Sequence, residues 1–205
     1  MKTLSLAAIV LAGGKSKRMG RDKALLPING VPLLQRVCNA AMQCTSIVYV
    51  ITFCPDQYRA IVPATCRLLQ EQALAGGTEP HGPLVGFAQA LEAMQREGLQ
   101  TEWVLLLACD MPRLSGVTLC HWSKQLAMAE DAIALLPKDP KGWEPLCGFY
   151  RTSCLASLQA AIARGDRSFQ RWLTQIPVRE LRLDNRHMLL NCNTPQDLEN
   201  LRSEE

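Results

Sequence analysis

Leu11-Ala12-Gly13-Gly14-Lys15-Ser16-Lys17-Arg18-Met19-Gly20-Arg21-Asp22-Lys23 follows directly on an apolar run, Leu6 to Leu11. A chain that turns sharply off a strand and comes close to phosphate oxygens has no room there for Cβ atoms, and Gly13 and Gly14 meet that need. Five cations, Lys15, Lys17, Arg18, Arg21 and Lys23, then stand against the single acid Asp22, so a polyanion is the natural partner. The guanidinium groups would clamp phosphate oxygens in pairs, and the ammonium groups would act as mobile point charges. A solvated basic loop between a strand and a helix would account for the charge as well. It would not account for paired glycines at the strand end.

Two familiar phosphate loops do not fit. The P-loop has four residues between its first glycine and Gly-Lys-Ser/Thr, whereas five separate Gly14 from Gly20 and Arg21 follows. The dinucleotide pattern GxGxxG fails because Gly13 and Gly14 are adjacent and the next glycine is Gly20. The stretch is therefore a different kind of phosphate cradle, read here as holding a nucleoside triphosphate.

Outward from this loop, apolar strands alternate with amphipathic helices, the sequence form of a mostly parallel sheet covered on both faces. The expected strands are 5–11, 46–52, a weak 67–69, 103–108, 132–136, 146–150 and 178–183. Trp103 to Ala108 runs without a polar break, as the centre of a parallel sheet requires. Helices are expected from Leu33 to Met42 after Pro32, from Pro83 to about Glu97, from Gly116 to Met128, from Thr152 to Arg164, over 168–173 and from Thr194 onward. Asn29-Gly30 marks a turn, and Asp56 is placed to cap a short helix that ends near Pro63. The polar stretch 71–83 and the loop 137–144 lie between these elements. With no repeat, linker or low-complexity tract, residues 1–205 read as one three-layer α/β/α domain.

Composition agrees. With 205 residues, 48% hydrophobic and 20% charged, the chain can bury a substantial core and fits neither disorder nor membrane spanning. A net charge of +3, concentrated in one loop, is not the sustained basic face of a nucleic-acid binder. Nine cysteines, with no C-x-x-C pair and one left over, disfavour a disulfide framework or a zinc site and suit a reducing cytoplasm. The opening Met1 to Ala12 has the outline of a secretory signal but no A-x-A cleavage site before the cationic loop, so the first strand is expected to stay in the mature chain.

Asp110 is the second anchor. It stands just after the most apolar strand, and ligands of open α/β sheets bind outside the carboxyl ends of the strands. A carboxylate there can serve Mg²⁺, which commonly takes one or two carboxylates together with substrate phosphates and water. It can equally cap the turn that Pro112 enforces, and position alone leaves the two open.

Leu11-Ala-Gly-Gly-Lys-Ser-Lys-Arg-Met-Gly-Arg-Asp-Lys23-Ala-Leu resembles the LAGGxSxRMGxDKxxL signature of molybdenum cofactor guanylyltransferases, the enzymes that join molybdopterin to GMP. Cys109-Asp110-Met111-Pro112 is similar to that family's CDxP metal-binding motif. Gly82-Pro83-Leu84-Val85-Gly86 is similar to its GPLxG element, Pro145-Leu146 through Tyr150 to its PLxxxY segment, and Asn191-Cys-Asn193-Thr-Pro-Gln-Asp-Leu198 to its NxNTPxDL ending. The resemblance covers essentially the whole chain. It implies a Rossmann-like fold of the nucleotide-diphospho-sugar transferase type and a reaction in which a molybdopterin phosphate attacks the α-phosphorus of GTP.

By that resemblance, Leu11, Ala12, Gly13, Gly14, Lys15, Ser16, Arg18 and Lys23 hold the nucleotide, with Thr52 and Gln72 at the family's other nucleotide positions. Arg18, Lys23 and Asp110 are the implied catalytic groups, with Asp110 on Mg²⁺. Asn191 and Asn193 are expected to face the pterin, although a helix cap at Asn193 or Thr194 explains half of that motif. The implied partners are GTP and molybdopterin, with hand-over to molybdoenzymes or their chaperones.

Thr52 and Gln72 depart from the family's Asn and Asp, so either the alignment slips or the nucleotide contacts are rearranged, with Glu71 able to replace the missing carboxylate; guanine selectivity is therefore less securely implied than nucleotidyl transfer. Three rivals stand beside the guanylyl reading. The first is a CTP-dependent molybdopterin enzyme, disfavoured by Asn191 and Asn193 where that family tends to have Asp. The second is a sugar-phosphate nucleotidyltransferase, disfavoured by Gly13. The third is a non-catalytic nucleotide-binding regulator on the same fold. His81, His121 and His187 are too dispersed for a metal site.

Overall fold

The computed structural model describes residues 5–13, 22–74, 81–140, 142–183 and 186–190, together with Cys192, Gln196, Asp197 and Glu199. In chain order its elements are β1 (Leu6–Leu11), a 3₁₀ turn (Lys23–Leu25), β2 (Pro27–Ile28), β3 (Val31–Pro32), α1 (Leu33–Cys44), β4 (Val48–Thr52), α2 (Pro55–Tyr58), β5 (Arg67–Gln70), α3 (Pro83–Arg96) and β6 (Trp103–Ala108). There follow α4 (Gly116–Ser123) with a 3₁₀ extension (Lys124–Met128), β7 (Ala134–Leu136), β8 (Lys138–Asp139), β9 (Gly142–Trp143), β10 (Cys147–Arg151), α5 (Leu155–Ala163), α6 (Phe169–Leu173), β11 (Val178–Glu180) and a 3₁₀ turn (Arg186–Leu189).

Seven strands form one sheet in the order β11-β7-β10-β6-β1-β4-β5. β1 pairs parallel with β4 and β6, β4 with β5, and β7 with β11, whereas β10 runs antiparallel between β6 and β7. The side chains of β1 alternate between faces, as the two-residue period of a strand demands. Ala8 and Val10 pack with Leu34, Val37, Leu119 and Trp122 of α1 and α4. Ala7 and Ile9 pack with Leu84, Phe87, Leu91, Leu158 and Trp172 of α3, α5 and α6. This is the three-layer α/β/α arrangement expected from the alternation. Each large apolar side chain buried this way contributes about 1.5–3 kcal/mol, and every residue of β6 is buried.

Most expected elements are present, with boundaries moved by one to three residues: the strand expected over 178–183 ends at Glu180, and the helix expected from Thr152 opens with a 3₁₀ turn, Thr152–Cys154, before α5. The helix expected from Thr194 onward lies largely outside the described residues. Four elements differ in kind. Asp56 does not cap α2: Cys54 holds that position, and Asp56 lies in the first turn, paired with Arg59. The helix expected over 116–128 breaks into an α segment and a 3₁₀ segment. The loop 137–144 contains the small ribbon β8–β9, with Lys138 over the Trp143 ring at 5.1 Å. The central strand β6 has one antiparallel neighbour, β10. At Gly148 of that strand a Cβ would lie 2.5 Å from Leu136 Cδ2 and 2.8 Å from the Leu135 carbonyl, so the close approach of β10 to β7 admits only glycine.

Candidate active site

β1, β4 and β6 lie side by side and parallel, so their carboxyl ends open together on one edge of the sheet. A cavity of about 500 Å³ lies there, a volume suited to a nucleotide-sized ligand. Leu11, Ala12 and Gly13 contribute from the end of β1, Ile51 and Phe53 from β4, and Ala108, Cys109 and Asp110 from β6. Asp22, Lys23 and Ala24 come from the first 3₁₀ turn, Glu71 from beyond β5, Gly82, Pro83 and Gly86 from the start of α3, and Leu146 from before β10. The α3 N-terminus, whose Val85 and Gly86 N–H groups bond to the Gly82 carbonyl, presents the positive end of a helix dipole to this rim.

Backbone bonds hold the strand ends in place: Ala12 N–H donates to the Ile51 carbonyl at 2.9 Å, and Cys109 N–H to the Leu11 carbonyl at 3.2 Å. Gly13 leaves β1 at φ +129, a conformation side chains rarely adopt, which explains why the first glycine of the loop is glycine. Its N–H also reaches the Cys109 thiol. That hydrogen bond works against burial and the neighbouring Asp110, which together push the thiol up to about 12.

Lys23 and Asp110 come together. Lys23 Nζ lies 3.7 Å from Asp110 Oδ2, both side chains about four-fifths buried. Burial pushes the Asp110 carboxyl above the ordinary carboxylate range, and the Lys23 charge only partly offsets it. A largely buried carboxylate at the strand end, beside one ammonium and lining the cavity, has the donor type of a cation site that substrate phosphates and water would complete. No cluster of three or more ligating side chains occurs among the described residues.

The two departures from the family pattern resolve differently. Thr52 is buried beneath Gly13, its Oγ1 accepting from Cys54 N–H at 3.3 Å, and its neighbours Ile51 and Phe53 face the cavity instead. Gln72 is not among the residues lining the cavity: its side-chain amide donates to the Gln70 carbonyl at 3.2 Å, and its backbone N–H and carbonyl are both held by the Gln89 amide of α3, at 2.7 and 2.8 Å. Glu71 takes the inward place. Its carboxylate lies against Gly86, and burial raises its pKa against the opposing influence of a His81 backbone hydrogen bond. Among the described residues, Glu71 Oε1 and His81 Nε2 are buried without a hydrogen-bond partner, so both await one from outside this set.

The remaining motifs also gather here. Tyr150 donates from its hydroxyl to the Pro145 carbonyl at 2.7 Å and so holds the turn that presents Leu146 to the cavity, which accounts for the spacing of PLxxxY. Cys192 is buried against Ile28 and Leu33, and its N–H donates to the Asp110 carbonyl at 2.9 Å, so this residue of the carboxy-terminal segment is tied to the end of β6. Gly14, Lys15, Ser16, Arg18, Asn191 and Asn193 lie outside the described residues.

Sheet order and cavity define a protein of the three-layer α/β class with an open cavity at the carboxyl edge of its parallel strands, the place where ligands of such sheets bind. Residues 8–181 match the family described as the MobA-like NTP transferase domain. A probable molybdenum cofactor guanylyltransferase of Trichormus variabilis is 50% identical over 195 residues, 95% of this chain and 89% of that protein. The molybdenum cofactor guanylyltransferase of Pseudomonas putida is 32% identical, over 93% of this chain and 94% of its own. Among solved structures, the molybdopterin-guanine dinucleotide biosynthesis protein A of Archaeoglobus fulgidus shares the fold with a TM-score of 0.75, at 24% identity and 97% coverage of each chain. The chain belongs to the MobA-like NTP transferase family.

Proposed function

We propose that this protein transfers GMP from GTP to molybdenum-bound molybdopterin, giving the guanine dinucleotide form of the cofactor and pyrophosphate. The observation that carries the reading is the meeting of Lys23 and Asp110 in a cavity at the parallel strand ends, which Gly13 also lines. The choice of guanine and of molybdopterin is supported by relatives that bear the guanylyltransferase name at up to 50% identity.

The chemistry asks the protein for position and charge rather than for a nucleophile of its own. The pterin phosphate supplies the attacking oxygen, the bond between the α-phosphorus and its bridging oxygen breaks, and pyrophosphate departs with that electron pair. The Gly13 and Gly14 amides with Lys15, Ser16 and Arg18 hold the triphosphate. Lys23 neutralises charge at the α-phosphate. Asp110 would hold Mg²⁺, which when bound would neutralise charge on the phosphate oxygens and so ease approach of the anionic nucleophile. Glu71 suits guanine, since its two acceptor oxygens match the adjacent ring and amino N–H donors of that base, a pair that cytosine does not present. Asn191 and Asn193 are the amides assigned to reading the pterin ring.

The setting is the reducing cytoplasm. Among the described residues, which include all nine cysteines, there is no disulfide, and no helix is long and apolar enough to cross a membrane. The downstream step is hand-over of the dinucleotide to a molybdoenzyme or its chaperone. The test is an isotopic one: GTP labelled at the α-phosphorus should leave its label on the pterin product, and GTP labelled at the γ-phosphorus should leave it in pyrophosphate. Label from the γ-position in inorganic phosphate would instead mean hydrolysis and would defeat the transferase reading.

A further inference from the structure

Tyr58 belongs to none of the motifs and does not line the cavity, yet its hydroxyl is bonded to a residue that does. It is the last residue of α2 and is 2% exposed, packed in the core beneath β1 and α1. The phenol donates to Asp22 Oδ2, and the other oxygen of that carboxylate, Oδ1, accepts from the Ala24 backbone N–H at 3.0 Å. Asp22 is thereby the N-cap of the turn Lys23–Leu25, in an extended conformation at φ −67 and ψ 118. From that turn Lys23 extends to Asp110. Burial and Asp22 hold the Tyr58 hydroxyl well above the ordinary phenol range, so it stays a protonated donor.

A three-residue 3₁₀ turn is too short to fix its own direction. Its closing bonds are Leu25 N–H to the Asp22 carbonyl at 3.2 Å and Leu26 N–H to the Lys23 carbonyl at 3.0 Å, and isolated turns of this length are marginal. Its orientation must come from its flanks. On the amino-terminal side the side-chain anchor is Asp22, gripped from behind by Tyr58. The Tyr58–Asp22 bond also ties the segment after β4, which lends Ile51 and Phe53 to the cavity, to the turn that lends Asp22, Lys23 and Ala24.

We infer that Tyr58 is the positioning residue for Lys23: by fixing the cap of the turn, its hydroxyl sets the line along which the Lys23 ammonium enters the cavity toward Asp110. The inference rests on the reading above, in which Lys23 serves the α-phosphate. A displacement of about 1 Å at a reacting group can cost about 100-fold in rate, so a modest loosening of the cap has a measurable effect. The plainer role for the same hydroxyl is to satisfy a buried polar group, with no bearing on Lys23.

Tyr58→Phe keeps the ring and removes the bond, and two readouts separate the roles. The first is the rate at which Lys23 is acetylated by acetic anhydride, followed by peptide mass spectrometry with the exposed Lys124 as internal reference. Lys23 should become several-fold more reactive in the variant while Lys124 does not change. The second is turnover: kcat should fall about tenfold with the KM for GTP within about twofold, and the fall should vanish when Tyr58→Phe is made on a Lys23→Ala background. Asp22→Ser keeps a capping oxygen but cannot reach both partners, and should reproduce both effects if Tyr58→Phe folds poorly. Unchanged Lys23 acetylation, or a loss of kcat that persists in full without Lys23, would overturn the inference. A wild-type protein inactive toward GTP and molybdopterin would overturn the transferase reading instead, and the acetylation readout would still decide the role of Tyr58.

Discussion

Asp110→Asn should act in opposite directions on stability and on catalysis. At 3.7 Å the attraction between Lys23 and Asp110 is roughly 4 kcal/mol at an effective dielectric constant of about 20 and roughly 1 kcal/mol in bulk water. Even so, the carboxyl is pushed upward, so the cost of burying its charge exceeds what Lys23 returns. A carboxyl raised in the folded state binds its proton more tightly there than in the unfolded chain. Its favourable contribution is present below the ordinary carboxylate range and is lost as pH rises through the folded value. Asparagine imitates the protonated form at every pH. In the absence of nucleotide and Mg²⁺, the variant should melt with the wild type at acid pH and above it at neutral pH, the gap opening as the wild-type carboxyl ionises. Removing one electrostatic group from a transfer site costs about 3 kcal/mol, or about 150-fold in kcat. Thermal melting across pH, paired with pyrophosphate release, measures both effects. A variant that melts earlier at neutral pH, or that turns over normally with saturating Mg²⁺, would refute the reasoning.

Three further outcomes are expected. Glu71→Gln should also raise Tm at neutral pH, because burial raises that carboxyl too. It should increase the KM for GTP by about tenfold or more, since a hydrogen bond to a charged group is worth roughly 1.5–3 kcal/mol; steady-state kinetics with GTP is the check. Gly13→Ala has room for its methyl group, 3.5 Å from Thr52 Oγ1, so its cost comes from φ +129 alone. That strain is about 1–3 kcal/mol, and Tm should fall by about 2–4 °C per kcal/mol. In thiol titration of the native protein with Ellman's reagent, the fast phase should belong to the exposed Cys54 and disappear in Cys54→Ser, while Cys109 and Cys147, buried and pushed up to about 12, stay silent until unfolding.

Much of this architecture is written locally. The run Trp103 to Ala108 is buried throughout, the break at Pro112 places Asp110 at the strand end, and Gly13 takes the positive φ that a paired-glycine turn suggests. What is not local is less legible. β10 has the same apolar composition whether it runs parallel or antiparallel, and its direction follows from the path of the chain and from the contact at Gly148. Glu71 and Gln72 are adjacent polar residues, and the sequence contains no sign that Gln89 would claim Gln72 and leave Glu71 facing the cavity. Asp22, noted in the sequence only as the single acid among the cations, is a cap held by Tyr58, thirty-six positions away along the chain. Pairings across such separations depend on strand order, which the loop residues do not encode.

The central claim, nucleotidyl transfer from GTP, is met most directly by one measurement. The protein is incubated with molybdopterin and Mg²⁺ together with either GTP or CTP, and pyrophosphate and pterin dinucleotide are quantified. Pterin-dependent pyrophosphate release with GTP, with the guanine dinucleotide as product and little turnover of CTP, is the predicted result. Equal inactivity with both nucleotides in the presence of competent pterin would contradict the account.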